Sequence, residues 1–262
     1  MHGETLTVLP AASDPIRIVP LHVPKELSQP AEGVAASPPP NLTYRGGPLL
    51  TAVEIFTVFW GTPWTTATLS AMAQNLTEFF QFIVTSPLID QLSEYNVSSF
   101  PIRHGSFKGS ATITTPVLGA SITDSAIQHM LNQEISTNSA FPKPNANLLY
   151  FVYLPPGVSL VQGGSKSCQA FCGYHNDIGG QVFYAAMPYA NCSGCLGGLS
   201  ALDALTGTSS HELCESITDP IPGRGWYDDV HGEIGDICAW QFKKLGAYNV
   251  QLEWSNKANK CI

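Results

Sequence analysis

The chain has 262 residues, with 12 basic against 20 acidic side chains and a formal net charge of −8. That balance repels phosphate backbones, and no basic patch offsets it, so nucleic acid is not an expected partner. Charged residues make up 12%, about half of the ~25% usual for soluble domains, and no apolar run reaches the ~18 residues of a membrane span.

The length allows one large domain or two small ones with material for a sizeable core. Abundant Ser, Thr, Gly and Pro suit a secreted or wall-associated protein. All seven cysteines lie between Cys168 and Cys261, and four N-x-S/T sequons occur at Asn41, Asn75, Asn96 and Asn191. Together they favour an oxidising secretory route in a eukaryote and mark glycan acceptor positions. The first residues, Met1-His2-Gly3-Glu4, have neither a basic leader nor an apolar core, so a mature or trimmed chain is expected.

Residues 1–43 form a Pro-rich arm or the remnant of a pro-segment, since eight of the 20 prolines fall before residue 41 and proline removes amide donors. The bland version is an arm draped over the domain formed by residues 44–262. There, Thr51 to Trp60 is β-branched and aromatic and reads as a strand buried on both faces. Ala67 to Val84 has helical apolar spacing, with Ser86-Pro87 at its end. Leu92 to Ile113 reads as strands and loops. A second helix, Thr123 to Ile135, is capped by Thr123 and turns Ile127, Met130, Leu131 and Ile135 inward. His129 on that helix reads as a surface or packed histidine. Leu148–Leu154 and Gln181–Met187 are further strands. A last helix runs from about Ser200 to Thr218, with Asp203, Thr206 or Thr208 as its cap and Gly207 blurring its start. Gly223–Ile237 is turn-rich and Tyr248–Trp254 is a final short strand. Strands alternating with helices predict an α+β or α/β domain with a mixed sheet.

The last helix carries His211-Glu212-Leu213-Cys214-Glu215, an H-E-x-x-E sequence one letter from the H-E-x-x-H signature of zinc peptidases. Positions four apart share a helix face, so His211 and Glu215 can reach one cation with Glu212 beside it. Catalytic zinc needs a third protein ligand and an open position. Glu233, 18 residues past Glu215, can supply that ligand, with Asp236 orienting His211, or the two exchange roles. Glu212 would be the general base of a metal-activated water. Tyr227, His231 or His175 would donate to the oxyanion, with His231 the best local candidate. Two carboxylates and one imidazole leave such a zinc formally neutral, which predicts modest intrinsic activity. Seven of the 20 acidic residues lie between Glu212 and Asp236, with only Arg224 to offset them; calcium on Asp228 and Asp229 is the competing cation.

Cys168-x-x-x-Cys172 and Cys192-x-x-Cys195 have the spacing of a four-thiolate zinc ribbon, but in an oxidising compartment the same spacing means disulfides. A redox role for Cys192-Ser193-Gly194-Cys195 is weaker still. Seven is odd, so one thiol is free or pairs between chains, and the state of Cys214 stays open.

These segments follow one another in an order that resembles a known family. The series is Tyr44-Arg45-Gly46-Gly47-Pro48-Leu49, the strand ending in Trp60-Gly61, Cys168-x-x-x-Cys172-Gly173-Tyr174-His175, Met187-Pro188-Tyr189-Ala190, Cys192-x-x-Cys195, His211-Glu212-Leu213-x-Glu215, Asp219-Pro220, Trp226-Tyr227 and Glu233-Ile234-x-Asp236-x-Cys238. It is similar to the EXORDIUM and phosphate-induced protein family of plant walls and to secreted microbial and fungal H-E-L-x-E proteins. The resemblance spans about Tyr44 to Trp254. It implies a secreted zincin-like single domain with a disulfide-rich C-terminal half and supports Glu233 or Asp236 as the completing ligand. Cys214 inside the motif and the short Tyr189–Cys192 loop depart from the family pattern.

The function expected is that of a secreted zinc metallopeptidase acting on peptide or protein substrates. A catalytically weak wall protein with a structural metal, binding glycan or a protein partner, is the alternative. A calcium-stabilised lectin-like module ranks third, because imidazole is a poor calcium ligand.

Overall fold

The computed structural model describes residues 19–22 and 38–262. Its centre is a five-stranded sheet built from β1 (Glu54–Trp60), β2 (Ser106–Ile113), β3 (Leu148–Tyr153), β4 (Tyr174–Ile178) and β5 (Val182–Met187). The strand order is β2-β1-β3-β5-β4, parallel throughout except for the antiparallel edge strand β4. The domain is mixed α+β.

Buried parallel strands read as continuous apolar runs because both faces are covered. In β3 the alternation still sorts the side chains. Leu149, Phe151 and Tyr153 join one core with α1 (Ala67–Ile83) and α3 (Ala201–Thr218), while Leu148, Tyr150 and Val152 join a second core under α2 (Asp124–Thr137). Ile127, Met130, Leu131 and Ile135 of α2 are all buried, and the Thr123 hydroxyl accepts the Ala126 amide as its cap. His129 is exposed. The segment Leu92 to Ile113 contains a single 3-10 turn before β2. Strand β4 was not foreseen, because Tyr174-His175-Asn176-Asp177-Ile178 is too polar to read as a strand.

Helix α3 differs from expectation in two ways. Its cap is Ser200, whose hydroxyl accepts the Asp203 amide at 3.1 Å, so Asp203, Thr206 and Thr208 lie within the helix. Gly207 does too, for a packing reason: a β-carbon there would stand 2.7 Å from Cε1 of Phe242. Phe242 belongs to the hairpin Phe242–Leu245/Tyr248–Gln251, which covers the face of α3 turned away from the sheet. Ala204 to Thr218 are consequently all buried, as expected of a helix covered on both sides. The chain ends not with the Tyr248 strand but with a pair, Trp254–Ser255 against Lys260–Cys261.

Disulfides join Cys168 to Cys192, Cys172 to Cys195 and Cys238 to Cys261, which leaves Cys214 as a free buried thiol. The four thiols of the would-be ribbon are therefore oxidised, as the disulfide reading required. Of the expected arm, Val19–His22 lie against Phe171–Gly173, and Thr43 pairs with Tyr227. Residues 1–18 and 23–37 fall outside the described residues. Among the described residues no helix is long and apolar enough to cross a membrane.

Candidate metal centre

One turn of α3 separates His211 from Glu215 and brings Nε2 of the first to 2.9 Å from Oε1 of the second. The carboxylate oxygen nevertheless lies off the line of a ring N–H, and both nitrogens of the fully buried imidazole lack a hydrogen-bond partner. The two atoms are close enough to serve as ligands of one ion.

The loop after α3 closes over this pair. Asp236 offers a carboxylate oxygen within 4.8 Å of ligand atoms of both His211 and Glu215, and its amide donates to Glu215 Oε1 at 3.2 Å. Its other function is local, since Oδ2 accepts the Glu233 amide at 3.0 Å. Two glycines make the approach possible. A β-carbon on Gly235 would stand 2.8 Å from the His211 ring, and one on Gly232, whose φ is 87°, would stand 2.1 Å from Asp236 Oδ2. Glycine tolerates both the positive φ and the close approach.

From the other side comes His175 of β4. It pairs across the ladder with Ala185 of β5, and directly opposed residues share a sheet face, here the face covered by α3. His175 Nδ1 lies 3.3 Å from Glu212 Oε2 and 3.5 Å from Glu215 Oε2, and Nε2 lies 3.5 Å from Glu233 Oε1 and 3.0 Å from the Asp219 carbonyl. His175, Glu212 and Glu215 thus form a second trio with ligand atoms within 4.8 Å, sharing Glu215 with the first. The third such group among the described residues, Cys168, Cys192 and Cys195, consists of disulfide sulfurs.

The electrostatics describe an excess of buried negative charge. His175, His211, Glu212, Glu215 and Glu233 are each at most 1% exposed. Both oxygens of Glu233, Glu212 Oε1 and Glu215 Oε2 have no hydrogen-bond partner, and such groups are costly to bury unpaired. Burial alone would lower the pKa of His175 and His211, but Glu233, Glu212 and Glu215 around the first and Glu215, Glu212 and Asp236 around the second hold both well above the ordinary value. Burial raises Glu212 and, further, Glu233. Burial pushes Glu215 up as well, yet the two histidines outweigh it and bring its pKa down to about 2. Without a metal, protons supply the missing positive charge. The donor set of imidazole nitrogens and carboxylate oxygens, with no sulfur, fits a divalent ion such as zinc.

Sequence reasoning had placed His175 only among candidate oxyanion donors and had missed Glu253. This residue is fully buried beside α3, with a raised pKa caused first by burial. Its neighbour is the Cys214 thiol, raised by burial and by Glu253. Of the other expected site residues, Tyr227 is buried in the pair with Thr43, where the Arg45 guanidinium lies 4.7 Å above its ring. His231 belongs to the turn Asp228–Gly232 and is held by Asp228 at 3.0 Å. Asp228 also accepts the amides of Asn41, Val230 and His231, and Asp229, 85% exposed, meets Arg45. A cavity of about 530 Å³ lined in part by Leu49, Asn145, Gln181 and Phe183 lies at the N-terminal ends of β3 and β5 and shares no residue with the cluster.

Comparison of the chain with protein-family models, with curated proteins and with solved structures gave no match.

Proposed function

We propose that this protein is a secreted zinc-dependent hydrolase of peptide bonds with Glu212 as its general base. A single observation carries the proposal: the fully buried His211 imidazole, neither of whose nitrogens has a hydrogen-bond partner, lies with Glu215 and Asp236 so that one ligand atom of each falls within 4.8 Å of the others, an arrangement that a cation satisfies. His211, Glu215 and Asp236 would hold the ion, with Glu233 as a further carboxylate at its border. Zinc bound there would supply Lewis-acid polarisation of a carbonyl.

The remaining steps belong to the chain. Glu212 keeps one carboxylate oxygen against His175 and the other free of protein partners, so Oε1 can take the proton of an attacking water and return it to the leaving amine. Burial raises its pKa, which strengthens it as a base. Of the three donors considered for the oxyanion, His175 is the one whose ring contacts Glu212, but its nitrogens already face Glu212 and the Asp219 carbonyl, so we assign it the role of positioning the base. The zincin-like fold, the secretory route and glycan at the sequons belong to the same proposal. Three disulfides support the oxidising route, and Asn41, Asn75, Asn96 and Asn191 are all exposed.

One observation favours the second reading, an extracellular protein with a structural metal that binds glycan or a partner. The cluster is shut off from solvent, with every central side chain at most 1% exposed, whereas a catalytic metal needs a position that water and substrate can reach. The two readings separate on Glu212→Gln. Wild type and variant are each assayed for bound zinc and turned over on a broad peptide library. The hydrolase reading expects one zinc in both and a loss of about 10²–10⁴-fold in turnover for the variant. Zinc in both with no cleavage by either gives the structural reading.

A further inference from the structure

The described piece of the arm, Val19–His22, is not loosely draped. The Val19 amide donates to the Gly173 carbonyl at 3.0 Å, the Cys172 amide donates to the Val19 carbonyl at 2.9 Å, and the His22 amide donates to the Gly194 carbonyl at 2.7 Å. Pro20 bridges Phe171 in the antiparallel sense. The segment thus extends the ladder just ahead of β4, an edge strand whose neighbour in the sheet is β5 alone.

Side chains alternate as a strand requires. Val19 is 3% exposed, Pro20 faces solvent, and Leu21 packs on the core against Gly194, where a β-carbon would come within 3.1 Å of it. Trp240 completes the cradle. Its indole N–H donates to the Pro20 carbonyl at 2.8 Å, its ring meets His22 edge-on at 5.2 Å, and its φ of 64° is a conformation that non-glycine residues rarely adopt. Two disulfides, Cys168–Cys192 and Cys172–Cys195, tie the two walls of the cradle together, so its shape precedes its occupant. The floor is the cluster itself, because a β-carbon on Gly173 would lie 3.2 Å from Glu212 Oε1.

We infer that Phe171–Gly173, Gly194 and Trp240 form a binding strip for an extended polypeptide with apolar residues at two alternate positions, and that Val19–His22 occupies it in cis. Backbone pairing supplies affinity and the Val19 and Leu21 positions supply selectivity. The substrate class is taken from the hydrolase reading; the docking itself does not depend on it. A substrate chain and the arm compete for the same carbonyls of Gly173 and Gly194. Covalent attachment makes docking of the arm intramolecular, so a free peptide displaces it poorly.

The test uses the full chain and the double variant Val19→Asp, Leu21→Asp, metal-free, with a synthetic peptide matching residues 15–25. In wild type the Cys172 amide exchanges slowly, and in the variant it exchanges at least about tenfold faster, while the amides of β3 keep wild-type protection as the check on folding. The peptide binds the variant and restores Cys172 protection; the same peptide carrying the two Asp substitutions does not, and wild type binds neither. Trp240→Phe, which removes the indole donor and trims the ring that meets His22, shifts Cys172 exchange in the same direction by less and serves if the double variant loses its β3 protection. Equal Cys172 exchange in wild type and variants overturns the docked arm. Peptide binding to neither protein, or equally to both, overturns the strip. None of these readouts needs metal or turnover, so they stand or fall separately from the Glu212→Gln result.

Discussion

The two faces of the central sheet solve the same problem differently. Under α2, Asp124 accepts both tyrosine hydroxyls, Tyr174 at 2.7 Å and Tyr184 at 2.6 Å, and the Gln128 amide at 2.8 Å, while Asn176 donates to Tyr184. That network is closed, and each of its members has a partner. Under α3, carboxylates outnumber imidazoles, and the side chains of His211 and Glu233 have no hydrogen-bond partner. A fold able to satisfy one buried polar network and not the other points to a component that is not a side chain. The α2 face is a closed network, and the α3 face carries the candidate ligand set.

The largest effect expected from that contrast is stabilisation by zinc. At a free concentration about 1,000 times Kd, binding to the folded state alone adds about 4 kcal/mol, or roughly 10 °C in Tm for a domain of this size. The gain disappears in His211→Ala and Glu215→Gln; a thermal melt with and without zinc measures it. A gain that survived either substitution would erase the difference between the faces.

This stabilisation carries a pH dependence. His175 and His211 hold protons above their ordinary value of 6.5, and Glu212, Glu233 and Glu253 above their ordinary value of 4.5. The metal-free folded state thus binds more protons than the unfolded chain, and stability falls as pH rises. The histidine contribution is complete below about 6.5 and is lost as pH climbs through the raised values; the carboxyls begin to cost stability above about 4.5. Glu215 works in the opposite direction, but its contribution is lost only as pH falls toward about 2. Between pH 5 and 8 the metal-free Tm should fall and the zinc-induced gain should grow. A flat or inverted profile would show that protons do not stand in for the cation.

On the other face, Asp124→Asn should cost about 1–3 kcal/mol in denaturant unfolding by unsettling two buried tyrosines while leaving zinc affinity unchanged. The smallest effect belongs to Gly235→Ala. Its methyl would meet the His211 ring at 2.8 Å and push the Asp236 loop away, weakening zinc by about tenfold, within the range for residues that position ligands. Unaltered affinity there would mean that the loop does not complete the site.

Much of the fold was legible because apolar periodicity is a local signal. Ile127, Met130, Leu131 and Ile135 announced α2, and the run from Thr51 to Trp60 announced β1, which begins at Glu54. The H-E-x-x-E spacing likewise showed that His211 and Glu215 share a face. What the sequence hid was non-local. His175 sits on a strand whose polar letters mask its pairing, and its side-chain direction follows from the ladder with Ala185. Glu253 reads as one acid in a terminal strand until the hairpin folds it beneath α3. Gly207 resembled a helix breaker because Phe242, which it accommodates, lies far along the chain.

The central claim is that the α3 face binds a metal through nitrogen and oxygen alone. Zinc K-edge X-ray absorption on the purified full chain tests it most directly. The account predicts one zinc per chain with a shell of N/O scatterers at about 2.0–2.2 Å and no sulfur at about 2.3 Å, and loss of that zinc in His211→Ala. Zinc absent at saturating concentration, or a sulfur shell around it, would contradict the account.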